Sequence, residues 1–247
     1  MIFKKNVLWF KTIRYVLEPW PDWEKFKKNY AAIYLVSYEK KDLPGFSVKI
    51  KETPIIYLNK KIEEVFSSFN ETTRNEIRRT FDDKIPGLKI VVNDQNLSAN
   101  YQLSKIFEYQ QGRVPEKIAM YRGCRLFAAY LNGEIISSVI CYDNNQILRA
   151  KAICSKRLLI KDKETYKIIS YATRRLIYEA CQWGIKNNYQ WIDLGSINFA
   201  KENLAQFKLS FTKDLIQEYT YTYKSQWFEL LASGVFLKKA IKKLLKF

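Results

Sequence analysis

Apolar and polar residues recur along this chain at two periods, and each change of period marks an element. Val7 to Leu17 and Ala31 to Tyr38 are rich in β-branched and aromatic residues and predict strands. Trp20 to Trp23, between them, reads as a turn or a helix start. Pro54 to Leu58 predicts another short strand. Asn70 is a good N-cap for a helix carrying Arg74, Ile77, Arg78 and Phe81. Pro86-Gly87 closes that helix, Leu88 to Val92 returns as a strand, and Gln102 to Gln110 is helical.

From Cys124 the pattern becomes a meander. Cys124 to Tyr130 and Glu134 to Tyr142 flank Asn132-Gly133, a strong short-range hairpin signal. Asp143-Asn144-Asn145 turns the chain again into Gln146 to Cys154. The longest helix follows, from about Tyr166 to Lys186, with Ile169, Ala172, Leu176, Ala180 and Gly184 at helical spacing. Then come a buried strand, Trp191 to Leu194, a loop from Gly195 to Asn203, and a last strand, Glu218 to Tyr223. Meander and β-α-β alternate, so the expected fold class is α/β (α+β), a mixed, mostly antiparallel central sheet flanked by helices. Three segments are expected: an N-terminal half-lobe over 1–95, a core over 96–225, and a C-terminal helix over 226–247.

Composition narrows the chemistry. The 247 residues contain no histidine, which removes Ser-His-Asp and Cys-His relays and imidazole zinc sites. Cys124, Cys141, Cys154 and Cys181 are scattered without a C-x-x-C spacing, so they read as reduced, small apolar residues of a cytoplasmic protein. No metal is expected. Lys11 and Arg14 interrupt the apolar N-terminal run, so it does not read as a secretory signal.

The formal net charge of +17 favours polyanionic partners. At the carboxy end, Lys238, Lys239, Lys242, Lys243 and Lys246 fall on one side of a helical wheel. Leu237, Ala240, Ile241, Leu244, Leu245 and Phe247 fall on the other. Such a helix suits an anionic membrane interface or packs its apolar face on the domain.

The order of meander, long helix, strand, loop and strand, with three local motifs, carries a resemblance. Ala180-Cys181-Gln182-Trp183-Gly184, Trp191-Ile192-Asp193-Leu194-Gly195-Ser196 and Phe207-Lys208-Leu209-Ser210-Phe211 resemble the Fem-type branch of the GNAT acyltransferase superfamily. Arg74-Asn75-Glu76-Ile77-Arg78-Arg79 looks like the R-x-x-I-R helix of that group. The likeness spans roughly residues 55 to 223. The branch contains tRNA-dependent aminoacyltransferases of peptidoglycan bridges and related enzymes of cell-envelope biosynthesis. It implies a GNAT-like core, a shortened N-terminal half-lobe, and an acyl-CoA or aminoacyl-tRNA donor. The acceptor would be the amino group of a cell-envelope precursor, peptidoglycan or surface glycan, including one carried on a lipid.

The resemblance puts Lys208 at the reacting ester, stabilising the oxyanion or the leaving hydroxyl, and Phe207 on the channel wall. Asp193, inside an apolar strand, either caps the next loop or acts as a base. Tyr142 is a candidate general acid. Arg74 and Arg78, one helical turn apart, suit phosphate. Ser196 and Asn198 in the following loop are candidate substrate contacts. The chain departs from ordinary GNAT enzymes between Leu159 and Thr165, where no glycine provides a pyrophosphate cradle. Lys161, Lys163 and a helix N-terminus would have to serve instead. The other functional class open to the sequence is a non-catalytic basic module that binds nucleic acid or anionic membrane.

Overall fold

The computed structural model describes residues 1–7, 9–18, 22–82, 84–144 and 146–233. Along the chain run β1 (Ile2–Val7), β2 (Phe10–Val16), α1 (Trp23–Asn29), β3 (Ala32–Ser37) and β4 (Ser47–Tyr57). Then come α2 (Ile62–Ser68), α3 (Glu71–Arg78), β5 (Leu88–Val92), α4 (Leu97–Gln110) and the meander β6 (Arg125–Leu131), β7 (Glu134–Asp143) and β8 (Ile147–Ser155). Last are α5 (Lys163–Lys186), β9 (Trp191–Asp193), α6 (Glu202–Leu209), β10 (Leu215–Lys224) and α7 (Gln226–Ser233). The chain divides into two compact units, Met1–Glu52 with Ile216–Phe247, and Thr53–Leu215.

In the larger unit the strands lie in the order β4-β9-β8-β7-β6-β5. Every neighbouring pair is antiparallel except β8 with β9. The meander forms because Asn132 and Gly133 both take positive φ, +51° and +83°, the geometry a two-residue hairpin requires. Leu131 pairs with Glu134 across this turn. The predicted stripe of α5 is buried against one face of the sheet, in a core with Ile56, Phe69, Ile77, Phe127, Val139, Leu148 and Phe211. Fully burying each large apolar side chain contributes roughly 1.5–3 kcal/mol. At Gly184 a Cβ would come within 2.5 Å of Leu58 Cδ1, so only glycine lets α5 approach the end of β4 this closely. α4 covers the other face, where Leu126, Ile140 and Tyr121 form a smaller cluster.

The smaller unit has its strands in the order β1-β2-β3-β10. Ile13, Tyr15, Ile33, Leu35, Tyr219 and Tyr221 pack there beneath Trp23 and Phe26 of α1.

Several expectations are corrected. The boundary does not fall at 95/96, because residues 53–95 supply Ile56, Val65 and Ile77 to the same core as α5. β10, from Ile216 on, joins the first unit instead of the core segment, and α7 joins it instead of standing as a segment of its own. The helix begun by Asn70, whose Oδ1 accepts from Thr73 N at 2.8 Å, ends at Arg78 well before Pro86. Asp82 there takes a left-handed φ of +56° that no helix continues through. The strand expected over Val7–Leu17 is the second arm of a hairpin whose first arm, β1, is polar enough to escape the pattern. Of the predicted C-terminal helix, Gln226–Ser233 forms α7. Lys238, Lys239, Lys242, Lys243 and Lys246 lie outside the described residues. Among the described residues no helix is long and apolar enough to cross a membrane.

Candidate active site

β8 and β9 run side by side for only three pairs, ending at Arg149 opposite Asp193. β9 stops there, while β8 continues to Ser155 on β7 alone. The strands part at Ala150, and the chain that leaves β9 turns back through Gly195, whose φ is +77°. A Cβ on Gly195 would lie 3.4 Å from both the Ala150 carbonyl oxygen and Lys208 Nζ. The left-handed backbone and these two neighbours explain the glycine at the exit of the strand.

Lys208 enters this place from α6. Its ammonium donates to the carbonyls of Gly195 at 2.7 Å and Ser196 at 3.1 Å, and the residue is only 8 % exposed. A lysine so buried is retained only with its charge well satisfied. Phe207 beside it is half-buried, edge-on to Phe211 at 5.4 Å, with the Arg174 guanidinium 5.2 Å over its ring. Arg174 also pairs with Glu76 at 3.0 Å and donates to Ser170 Oγ at 2.9 Å.

Asp193 is fully buried, and three donors converge on it. Thr53 Oγ1 and the Gly195 N–H, at 2.6 Å, donate to Oδ1, and Arg149 Nη1 donates to Oδ2. The carboxylate thus ties β4, β8 and the loop after β9 together. The Gly195 N–H bond is the contact that the loop-capping alternative calls for.

Tyr142 is buried, and its hydroxyl accepts from Lys151 Nζ at 2.8 Å. Lys151 is the extra residue of a β-bulge: Ile140 pairs with Ala152 and Cys141 with Ala150, leaving Lys151 between them. Its side chain is 5 % exposed, paired with Glu116, and 4.5 and 4.8 Å from the ring centres of Tyr121 and Tyr142. Burial works to lower its pKa, but Tyr142 and Glu116 outweigh it and raise the value, so the ammonium stays charged.

The other predicted site residues separate into two places. Arg74 and Arg78 both line a surface groove of about 490 Å³ with Glu63, Phe66, Ser67 and Tyr178. Arg74 Nη1 is spent on the carbonyls of Ser67 and Phe69, at 2.7 and 2.6 Å, at the end of α2. Arg78 lies 5.4 Å over the Phe66 ring. Lys161 and Lys163 are exposed at the start of α5. The helix N-terminus between them is occupied by its own Asp162, which accepts from Thr165 N at 2.7 Å. That bond holds the Asp162 carboxyl below its ordinary pKa. The expected phosphate seat there already carries a carboxylate. Ser196 faces Lys208 through its carbonyl, and Asn198 Oδ1 accepts from Ala200 N at 3.1 Å to shape the loop.

Sequence reasoning missed Arg149 and Lys151. Their signal was present: two cations inside an otherwise apolar strand. Burial pushes the Cys124 thiol up to about 12 and raises Cys141, Cys154 and Cys181 too, so none supplies a thiolate near neutral pH. Among the described residues no group of three or more Cys, Asp or Glu is placed to hold a metal ion.

No family model and no curated protein matches the chain. Solved structures do. The fold is similar to that of FemX. The two share a TM-score of 0.64 at 11% identity, over 92% of this chain and 84% of that one. The C-terminal domain of a lysylphosphatidylglycerol synthetase candidate from Agrobacterium fabrum gives 0.56 at 12% identity, covering 96% and 84%. A conserved protein of unknown function from Bacteroides thetaiotaomicron gives 0.55 at 12%, covering 90% and 82%.

Proposed function

We propose that the protein is an acyltransferase that moves an aminoacyl or acyl group onto the amino group of a cell-envelope precursor, with Lys208 at the reacting carbonyl. The observation that carries this is the buried Lys208 ammonium, fixed by the Gly195 and Ser196 carbonyls where β8 and β9 part. A charge preorganised in a low-dielectric cleft is worth most where a tetrahedral oxyanion develops. The acceptor nitrogen, as the free amine, attacks the ester or thioester carbon. The C–O or C–S bond breaks, and the proton lost by nitrogen ends on the departing oxygen or sulfur. Lys208 stabilises the oxyanion and then the leaving group, and alignment of the two substrates supplies much of the remaining rate.

Aminoacyl-tRNA is the favoured donor over acyl-CoA. The stretch before α5 contains no glycine, and Asp162 occupies the helix N-terminus where a pyrophosphate would sit. The likeness to FemX and to the lysylphosphatidylglycerol synthetase domain supports an envelope acceptor, peptidoglycan, surface glycan or lipid, and work at the cytoplasmic face of the membrane.

The test is thermal-shift titration with aminoacyl-tRNA, uncharged tRNA and acetyl-CoA, followed by transfer assays on Lys208→Met and Gly195→Ala. Charged tRNA alone should stabilise the protein. Lys208→Met should lower kcat by 100-fold or more, the loss typical of a removed oxyanion donor. Gly195→Ala should also cut activity, with a stability loss of only about 1–2 kcal/mol from its left-handed φ. Full transfer by Lys208→Met would refute the reading and favour a non-catalytic binding module. Stabilisation by acetyl-CoA alone would move the donor to CoA.

A further inference from the structure

Among the described residues, the most exposed large apolar side chains lie in the smaller unit. Trp9, at the turn between β1 and β2, is 76 % exposed, and Trp227 of α7 is 73 % exposed. Leu230, three positions further along α7, is 64 % exposed, so it shares a helix face with Trp227. The Trp9 and Phe10 rings are 6.0 Å apart, and Phe10 meets Phe228 edge-on at 5.5 Å. Aromatic rings therefore run from the hairpin tip to α7.

The same hairpin borders a cationic groove. Lys4, Lys11 and Lys25 line a surface depression of about 350 Å³ with the rings of Tyr15, Phe26 and Tyr30. Among the described residues no carboxylate lines it, and none of the three ammonium groups has a hydrogen-bond or ion-pair partner. Strand alternation sends Lys4 and Lys11 to the α1 side of the sheet, with Ile13 and Tyr15. Phe10, one residue away, goes to the opposite side, towards Phe228. β1 is the edge strand of its sheet. Lysines on one flank, tryptophans at the tip and on the other flank, and an edge strand between them describe a surface met edge-on.

We propose that the β1–β2 edge of the smaller unit, with α7, docks on an anionic phospholipid bilayer. Trp9 and Trp227 enter the boundary between headgroups and acyl chains, where indole rings concentrate. Lys4, Lys11 and Lys25 extend to lipid phosphates. Charge decides among the possible occupants. The centre of a protein interface is depleted of lysine, whereas three unneutralised lysines call for a polyanion. A nucleic acid would explain the lysines but leave an aliphatic Leu230 beside two exposed indoles without a role. The surface is independent of the transfer chemistry and would persist in an inactive enzyme.

The experiment is co-sedimentation of the full chain with vesicles of equal parts phosphatidylglycerol and phosphatidylcholine, and with phosphatidylcholine alone, while tryptophan emission is followed. The protein should bind the anionic vesicles selectively, with a blue-shifted emission. Lys4→Gln/Lys11→Gln/Lys25→Gln should weaken binding about 100-fold. Trp9→Ser/Trp227→Ser should weaken it at least tenfold and abolish the blue shift. Lys208→Met should bind unchanged, which separates this inference from the proposed activity. Unaltered binding by either surface variant, with circular dichroism showing both folded, overturns the proposal. So does equal binding to the two vesicle types. If Lys238, Lys239, Lys242, Lys243 and Lys246, changed together to Gln, remove all binding that the surface variants retain, docking belongs to that segment instead. Loss of single-stranded RNA binding by the lysine variant, with vesicle binding intact, would assign the groove to nucleic acid.

Discussion

The two units spend their charged and aromatic residues in opposite ways. In the larger unit cations are drawn inward: Arg149 is held on Asp193, Lys151 on Glu116 and between two tyrosine rings, Lys208 on two carbonyls. In the smaller unit Lys4, Lys11 and Lys25 stand around an open groove, and two tryptophans face outward. Buried charge must be matched donor by donor or it unfolds the protein. Exposed charge costs little and is open to a partner. The first pattern fixes a geometry, and the second offers a surface.

The comparison is broken most severely at Asp193. Asp193→Ala leaves Arg149, 11 % exposed, without its carboxylate and frees the Gly195 turn. Removing one member of a buried pair costs about 3–5 kcal/mol, which chemical denaturation of the variant should register. If the loss falls below about 1 kcal/mol, the inward-drawn charge is not what holds the larger unit.

Lys151→Met probes the same pattern more gently, through pH. The folded-state pKa of Lys151 is raised, so its pairing stabilises fully below the ordinary lysine value of about 10.4 and is lost as pH rises through the higher folded value. The wild type should lose stability in that alkaline window, and Lys151→Met should lose less there. Identical alkaline limbs in the two melting-temperature profiles would remove Lys151 from this account.

The smallest effect belongs to the other unit. Trp9→Ser/Trp227→Ser should leave the denaturation midpoint within about 0.5 kcal/mol of wild type, since both indoles are largely in water. A larger loss would make them part of the core and erase the contrast.

Much of the larger unit could be read in advance, because its signals are local. Asn132-Gly133 demands its hairpin, and the stripe from Ile169 to Gly184 demands its helix. α6 was hidden: Lys201 at its N-cap makes no side-chain cap bond, so nothing in Gly195–Asn203 marks where the loop ends. At the site, Lys208 and Asp193 were legible as residues but not as a relation. Gly195, with its N–H on Asp193 and its carbonyl on Lys208, joins them only after the strands part. Lys151 escaped because its position depends on a bulge, a one-residue slip between two strands that neither strand encodes alone. The run of rings from Trp9 through Phe10 to Phe228 joins residues from opposite ends of the chain, a pairing that composition and period do not contain.

The distribution of cysteine has a practical consequence for watching the protein move. Cys124, Cys141, Cys154 and Cys181 all belong to the Thr53–Leu215 unit, and all but Cys124 are buried. A thiol-labelling reagent can therefore reach those three only when that unit opens, and it has no target in the other. The chain carries its own one-sided clock: slow modification of the three sulfurs times the breathing of the larger unit, while any loosening of the smaller goes uncounted.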